Sequence, residues 1–202
     1  MDIIYQLPFP EVICNKIFMF ACKSPHSGLG SGILKIIIKS PYIYNKLVER
    51  GGIVLDGDRN VVKFRVRDGY KTLLTENEMQ KKMTFDIAHL RSLPNLTEID
   101  LGGTRVSGDI VHLKSLPNLT KINFQNNTDI TGNIAHLNLM PNLIRIDLYR
   151  TGVSGDIAHL TSLPNLDMID ISYARVSGES SAFRNYRKSA GLKKCSIYFN
   201  WL

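Results

Sequence analysis

The 202-residue chain is 44% hydrophobic and 21% charged, the balance of an ordinary globular protein with room for one sizeable domain. No apolar run is long enough to span a bilayer, because Lys16 interrupts the N-terminal candidate and Lys35 and Lys39 break the next. The formal charge of +7 divides unevenly: residues 1–85 hold 13 Lys/Arg against 8 Asp/Glu, residues 86–178 hold 7 against 9, and residues 179–202 hold 5 against 1. A nucleic-acid binder concentrates its cations on one face, so basic ends around a mildly acidic middle argue against that class.

The start "MDIIYQLPFP" carries an acid and two prolines, unlike a secretory leader. The three cysteines, Cys14, Cys22 and Cys195, are an odd count without paired spacing and read as reduced thiols of a cytoplasmic or otherwise intracellular protein. Residues 1–55 read as helical. Pro10–Cys22 sets Val12, Ile13, Ile17, Phe20 and Ala21 on one face behind Pro10, and Gly32–Glu49 reads as two further helices broken at Pro41. Phe9, Pro10, Ile13, Ile17 and Phe18, with Glu11 one place from the usual acid, resemble the opening of an F-box, although the Trp of its later helices is missing. That resemblance implies docking to a ubiquitin-ligase adaptor; otherwise the helices are a cap over the first strand. The "GLGSG" at 28–32 lacks the Lys-Ser/Thr finish of a phosphate loop and reads as a turn.

Residues 56–85 form a cap strand and linker, with Val61, Phe64 and Val66 of "VVKFRV" expected inward. Four self-similar units then run from Asp86, Asp109, Asn133 and Asp156 to residue 178, with lengths of 23, 24, 23 and 23. In each, a turn such as "HLRSLPNL" spaces its leucines three apart, and a segment such as "LTEIDLGGT" alternates Leu96, Ile99 and Leu101 inward with Glu98 and Asp100 outward. One such unit cannot bury its own apolar side, so the units must stack. The pattern resembles the leucine-rich repeat family, closest to its plant-type subclass. Val106–Ile110, Ile130–Ile134 and Val153–Ile157 match the subclass's second short strand, with Ala or Val where it has Pro. The family's ladder Asn is present only as Asn127, with Thr104, Thr151 and Ala174 in that place elsewhere. The resemblance implies an α/β solenoid with a short parallel β-sheet on the concave face, helical or 3-10 turns on the convex face, and about six strands. Residues 179–202 are the C-terminal capping repeat, with a longer helix and then Leu192, Cys195 and Ile197 inward.

His89, His112, His136 and His159 recur once per unit. Catalysis needs unlike groups converging on one point, so a column of one residue type is read as scaffold, with each imidazole N–H expected on a neighbouring coil's carbonyl. The Pro-Asn pairs read as turn formers whose Asn bonds backbone. Asp100, Asp147 and Asp170, with Asn123 in line, read as a solvated or partner-binding column beside Lys121 and Arg145. No nucleophile elbow, P-loop or zinc-helix motif is present. The expectation is a non-enzymatic protein with no cofactor, no metal and no small-molecule substrate, which binds another protein. A basic nucleic-acid or anionic-membrane-surface binder is the alternative.

The outward positions of the strand segments locate the expected contact. In the first unit they are Thr97, Glu98, Asp100, Gly102 and Gly103. In the third and fourth they are Ile144, Arg145, Asp147, Tyr149 and Arg150, then Asp167, Met168, Asp170, Ser172 and Tyr173. Lys194 and Tyr198 follow on the closing strand. Tyr, Arg and Met combine large contact area with a polar handle or an adaptable shape. Arg145, Asp147, Tyr149, Arg150, Met168, Asp170, Tyr173 and Tyr198 are therefore the candidate partner-binding residues.

Overall fold

A computed structural model describes residues 41–58, 60–68, 71–75, 77 and 83–199. The first expected helix, the F-box-like register, the Gly28–Gly32 turn, Cys14 and Cys22 lie outside the described residues. Helix α1 (Pro41–Glu49) starts on the proline that was expected to break the helical segment, since a ring without an N–H is best tolerated in the first turn. Its Ile43 and Leu47 are buried in the same core as the repeats.

Strand β1 (Ile53–Leu55) pairs antiparallel with β2 (Val61–Arg65), where the sequence reading had placed only helix. Val61, Phe64 and Val66 are buried as expected. A short hairpin, β3 (Arg67–Asp68) with β4 (Lys71–Thr72), follows and was not foreseen. The main sheet then continues in parallel through β5 (Glu98–Asp100), β7 (Lys121–Asn123), β9 (Arg145–Asp147), β11 (Met168–Asp170) and β13 (Ser196–Tyr198). Counting β2, six parallel strands stand in register, with Ile99, Ile122, Ile146 and Ile169 aligned.

The turns opposite the sheet are 3-10 helices, Ile87–Ser92, Ile110–Ser115, Ile134–Leu139 and Ile157–Leu160. Each is opened by an Asp or Asn whose side chain accepts the backbone N–H two residues on: Asp86 from Ala88, Asp109 from Val111, Asn133 from Ala135 and Asp156 from Ala158. This satisfies donors that a short helix start leaves orphaned. Gly108, Gly132, Gly155 and Gly178 pass below these caps at φ between +104° and +116°, and a Cβ there would strike the preceding coil's capping oxygen. The second strands pair as the plant-type resemblance implied: β6 (Gly108–Asp109) with β8 (Ile130–Thr131), and β10 (Ser154–Asp156) with β12 (Arg175–Ser177).

The interior is a stack of leucines and isoleucines. Leu90, Leu113, Leu137 and Leu160 are 0% exposed, and each is worth roughly 1.5–3 kcal/mol of transfer free energy. Asn127 is 2% exposed. Its amide donates to the Leu101 and Phe124 carbonyls at 2.9 and 3.0 Å, and its oxygen accepts from the Thr104 hydroxyl and the Val106 N–H. Thr151 reaches only the Leu148 carbonyl of its own coil. The far end is closed by α2 (Ser180–Ser189), which buries Phe183 and Arg187. Cys195 is buried beneath it as expected, while Leu192 and Ile197 are half-buried.

The histidine expectation needs correction. His89 and His159 are exposed, His112 and His136 half-buried, and none donates from its ring to a neighbouring carbonyl. The backbone does the work at these positions, where the carbonyls of His89 and His112 accept the hydroxyls of Ser92 and Ser115. The Pro-Asn expectation holds for two coils: Asn142 donates to the Pro117 carbonyl at 3.1 Å and Asn165 to that of Pro141 at 3.0 Å.

Candidate partner-binding face

The concave surface is shaped where each strand turns out of the sheet. Asp100, Asn123, Asp147 and Asp170 accept the N–H two residues on, from Gly102, Gln125, Tyr149 and Ser172, at 2.9–3.3 Å. This Asx-type turn explains the acidic column more economically than solvation does, because an Asn serves equally well in the second coil. Three residues later the backbone is left-handed in every coil: Gly103, Asn126, Arg150 and Tyr173 have φ between +52° and +71°. Their N–H groups bond onward, from Gly103 to Gln125, Asn126 to Tyr149 and Arg150 to Ser172, at 2.8–3.0 Å. Gly and Asn adopt this conformation readily, whereas Arg150 and Tyr173 hold it at a cost of roughly 1–3 kcal/mol each.

Those two strained positions carry two of the three side chains that cluster, the third being Tyr149. The Tyr149 and Tyr173 rings meet edge to face with centroids 5.5 Å apart, and the Arg150 guanidinium lies 5.3 and 5.4 Å from the two ring centres. Quadrupole geometry favours both arrangements. Beside them Arg145 points a guanidinium nitrogen at the Met168 sulfur, 3.0 Å away. Asp147 and Asp170 stand in direct register on adjacent strands. Burial pushes the Asp147 carboxyl up to about 6. The Tyr149 N–H opposes that rise, Asp170 and Asp100 add to it, and Arg145 offsets part of it.

The N-terminal half of the same face is different. Glu98 is surrounded by Lys63 at 3.1 Å, Arg65 at 3.7 Å and Lys121 at 3.9 Å, so its charge is met within the protein. Lys121, expected beside the aspartate column, thus reaches Glu98. Ser172, expected to project outward, is buried at 4% exposure, and Gly102 is likewise buried, the latter because Asn123 and Gln125 of the neighbouring coil lie against it.

Tyr198 remains 54% exposed. With Tyr149, Asp170 and Ser172 it lines a cleft of about 390 Å³, completed by Ser180, Arg184, Ile197 and Phe199. Sequence reasoning missed Ser180, Arg184 and Phe199 as surface-forming residues. Ser180 and Arg184 sit in the capping helix, outside the repeat register, whereas Phe199 takes the outward eighth place of the closing strand pattern, a signal that could have found it. Among the described residues no group of three or more His, Cys, Asp or Glu is placed to hold a metal ion, and no helix is long and apolar enough to cross a membrane.

No family model matches the chain, and no curated relative does. Solved structures match its fold. It is similar to the ectodomain of the receptor kinase SOBIR1 from Arabidopsis thaliana, with TM-score 0.56 and 16% identity over 85% of this chain and 92% of that one. It is similar to PEPR1 in the PEPR1–AtPEP1 structure, with TM-score 0.59 and 18% identity over 85% of this chain. The BIR2 ectodomain from Arabidopsis thaliana gives TM-score 0.50 and 21% identity over 66% of this chain. The chain spans only 25% of the PEPR1 chain and 66% of the BIR2 chain. The architecture is a leucine-rich repeat solenoid.

Proposed function

We propose that this leucine-rich repeat solenoid is a protein-interaction module whose partner sits on the C-terminal half of the concave sheet. The observation that carries the reading is the Tyr149–Arg150–Tyr173 cluster, held by left-handed backbone at two side-chain-bearing residues. Strain of this kind persists where surrounding structure enforces it, and an aromatic and arginine patch in a fixed arrangement is the usual chemistry of an interface hot spot. Arg145, Asp147, Met168, Asp170 and Tyr198 extend the patch along adjacent strands. The PEPR1–AtPEP1 structure has the same fold in a two-component assembly, which supports a protein or peptide as partner.

A photoreactive amino acid at Tyr173 or Tyr198, tested in native cells, is expected to cross-link a partner protein. The same probe at Leu139, 71% exposed in a convex 3-10 turn, is not. Cross-linking only from Leu139 would place the contact on the convex side and end this assignment. The F-box-like register of Phe9 to Phe18 extends the proposal to a ubiquitin-ligase adaptor docked by the N-terminal helices. Mixing the purified full-length chain with purified adaptor tests that extension, and absence of a complex at ~10 µM rejects it.

A further inference from the structure

The charges on the concave face are unevenly satisfied. Glu98 has three cations within 4 Å, yet neither Asp147 nor Asp170 has an ion pair among the described residues. The nearby guanidiniums make their closest contacts elsewhere, although Arg145 still acts on Asp147 at longer range: Arg145 on the Met168 sulfur, Arg150 over two tyrosine rings, and Arg184 toward the Ser180 hydroxyl at 3.4 Å. Asp170 borders the cleft of about 390 Å³, and three of the other residues lining it, Tyr149, Tyr198 and Phe199, are aromatic. A carboxylate without a counter-ion beside aromatic faces is complementary to an alkylammonium or guanidinium group, whose methylenes pack on the rings while its charge meets the acid. Asp170 stands in register with Asp147, a half-buried carboxyl that burial lifts to about 6 with Asp170 adding to the rise, so an incoming cation relieves repulsion already present in the free protein.

We propose that this cleft is the receiving site for a single Lys or Arg side chain on an extended segment of the protein partner. The inference rests on the concave-face reading for who supplies that side chain. Arg184 at the cleft works against the incoming charge, so it sets the selectivity: a segment with one basic residue is admitted more easily than a polybasic run.

Amide NMR of the full chain tests the proposal with the capped pentapeptide Gly-Gly-Lys-Gly-Gly, its Nε-acetyl-lysine form and its Glu counterpart. The net charge of +7 repels a cationic peptide in general, so binding has to come from local complementarity. The Lys peptide is expected to shift the Asp170, Ser172 and Tyr198 amides saturably at ~1–5 mM, and the other two peptides are not. Asp170→Asn keeps an acceptor for the Ser172 N–H, as Asn123 does in its own coil, so the variant folds. It is expected to weaken the Lys peptide about tenfold, the worth of a charge-assisted hydrogen bond, and Arg184→Ala to strengthen it. Shifts of equal size from the acetylated or Glu peptide, or from calcium chloride alone, overturn the proposal, as does an Asp170→Asn protein that binds like the parent. A silent Lys peptide together with cross-linking from Tyr173 removes the cleft and leaves the concave face. A responsive cleft with cross-linking only from Leu139 does the reverse.

Discussion

Arg187 is the side chain on which the C-terminal cap depends most. It is 2% exposed and has no carboxylate partner among the described residues; instead it donates to the carbonyls of Thr161 and Leu163 at 3.1 and 2.6 Å, Leu166 at 2.9 Å and Lys193 at 2.9 and 3.1 Å. Its guanidinium also lies 5.8 Å from the Phe183 ring centre. Arg187→Ala orphans two fully buried carbonyls, Leu163 and Leu166, each at about 1–3 kcal/mol, and recovers part of the cost of burying a cation. The net loss is about 3 kcal/mol, local to the cap, which corresponds to about a hundredfold more frequent opening. Cys195, 4% exposed beneath the cap, reports that opening. Its thiol is raised to about 11 by burial, with Arg187 pulling it down, so removing the arginine alone would slow thiolate chemistry. Acceleration therefore measures exposure. In a Cys14→Ser/Cys22→Ser background, iodoacetamide labelling of Cys195 is expected to quicken about a hundredfold in Arg187→Ala, and by less in Arg187→Lys, which keeps the charge but not the fork. Labelling within about threefold of the parent, with an unchanged urea midpoint, would refute the account of Arg187 as the tie between cap and last coil.

Other outcomes follow from the same geometry. Asn127→Ala strips two carbonyls and an N–H of their buried partner and is expected to cost ~3–4 kcal/mol in urea unfolding, against ~1 kcal/mol for Thr151→Ala, which loses a single bond. Because the folded Asp147 holds its proton up to about 6 and an ordinary aspartate only to 3.8, its contribution to stability is lost as pH rises through that window and is absent at pH 7. Asp147→Asn is therefore expected to raise stability at pH 7 by ~1 kcal/mol, discounted for partial exposure, and to remove that part of the pH dependence in thermal melts. Tyr149→Ala, Arg145→Ala and Tyr173→Ala are each expected to weaken the cross-linked partner by ~1–3 kcal/mol with the fold intact, while Thr97→Ala changes little; equal effects from all four would move the site. Partner binding is expected to hold between low and physiological salt, where a phosphate binder loses orders of magnitude.

Repetition made the solenoid legible. A leucine recurring every 23 or 24 residues, with alternation around it, admits one burial solution, and the structure adopts it down to the inward side of Leu96, Ile99 and Leu101. The second strands were equally readable, because they keep the same register, and the closing helix was readable as a longer segment standing in place of a repeat turn. What escaped the sequence lies where local and repeat signals stop. Strand β1 is three residues long and gains its identity only by pairing with β2. The histidines share one place in every unit, yet their rings find no partner, since a repeat fixes a backbone position and not the hydrogen bonds of a side chain at its rim. The aspartate column was readable as a column but not as a set of turn acceptors, which depends on φ and ψ three residues on. The tyrosine and arginine cluster needed neighbouring coils brought side by side, and the cleft beside it needed the cap folded back on the last strand. Periodicity specifies what each coil buries; only stacking decides which side chains of different coils share the surface that remains.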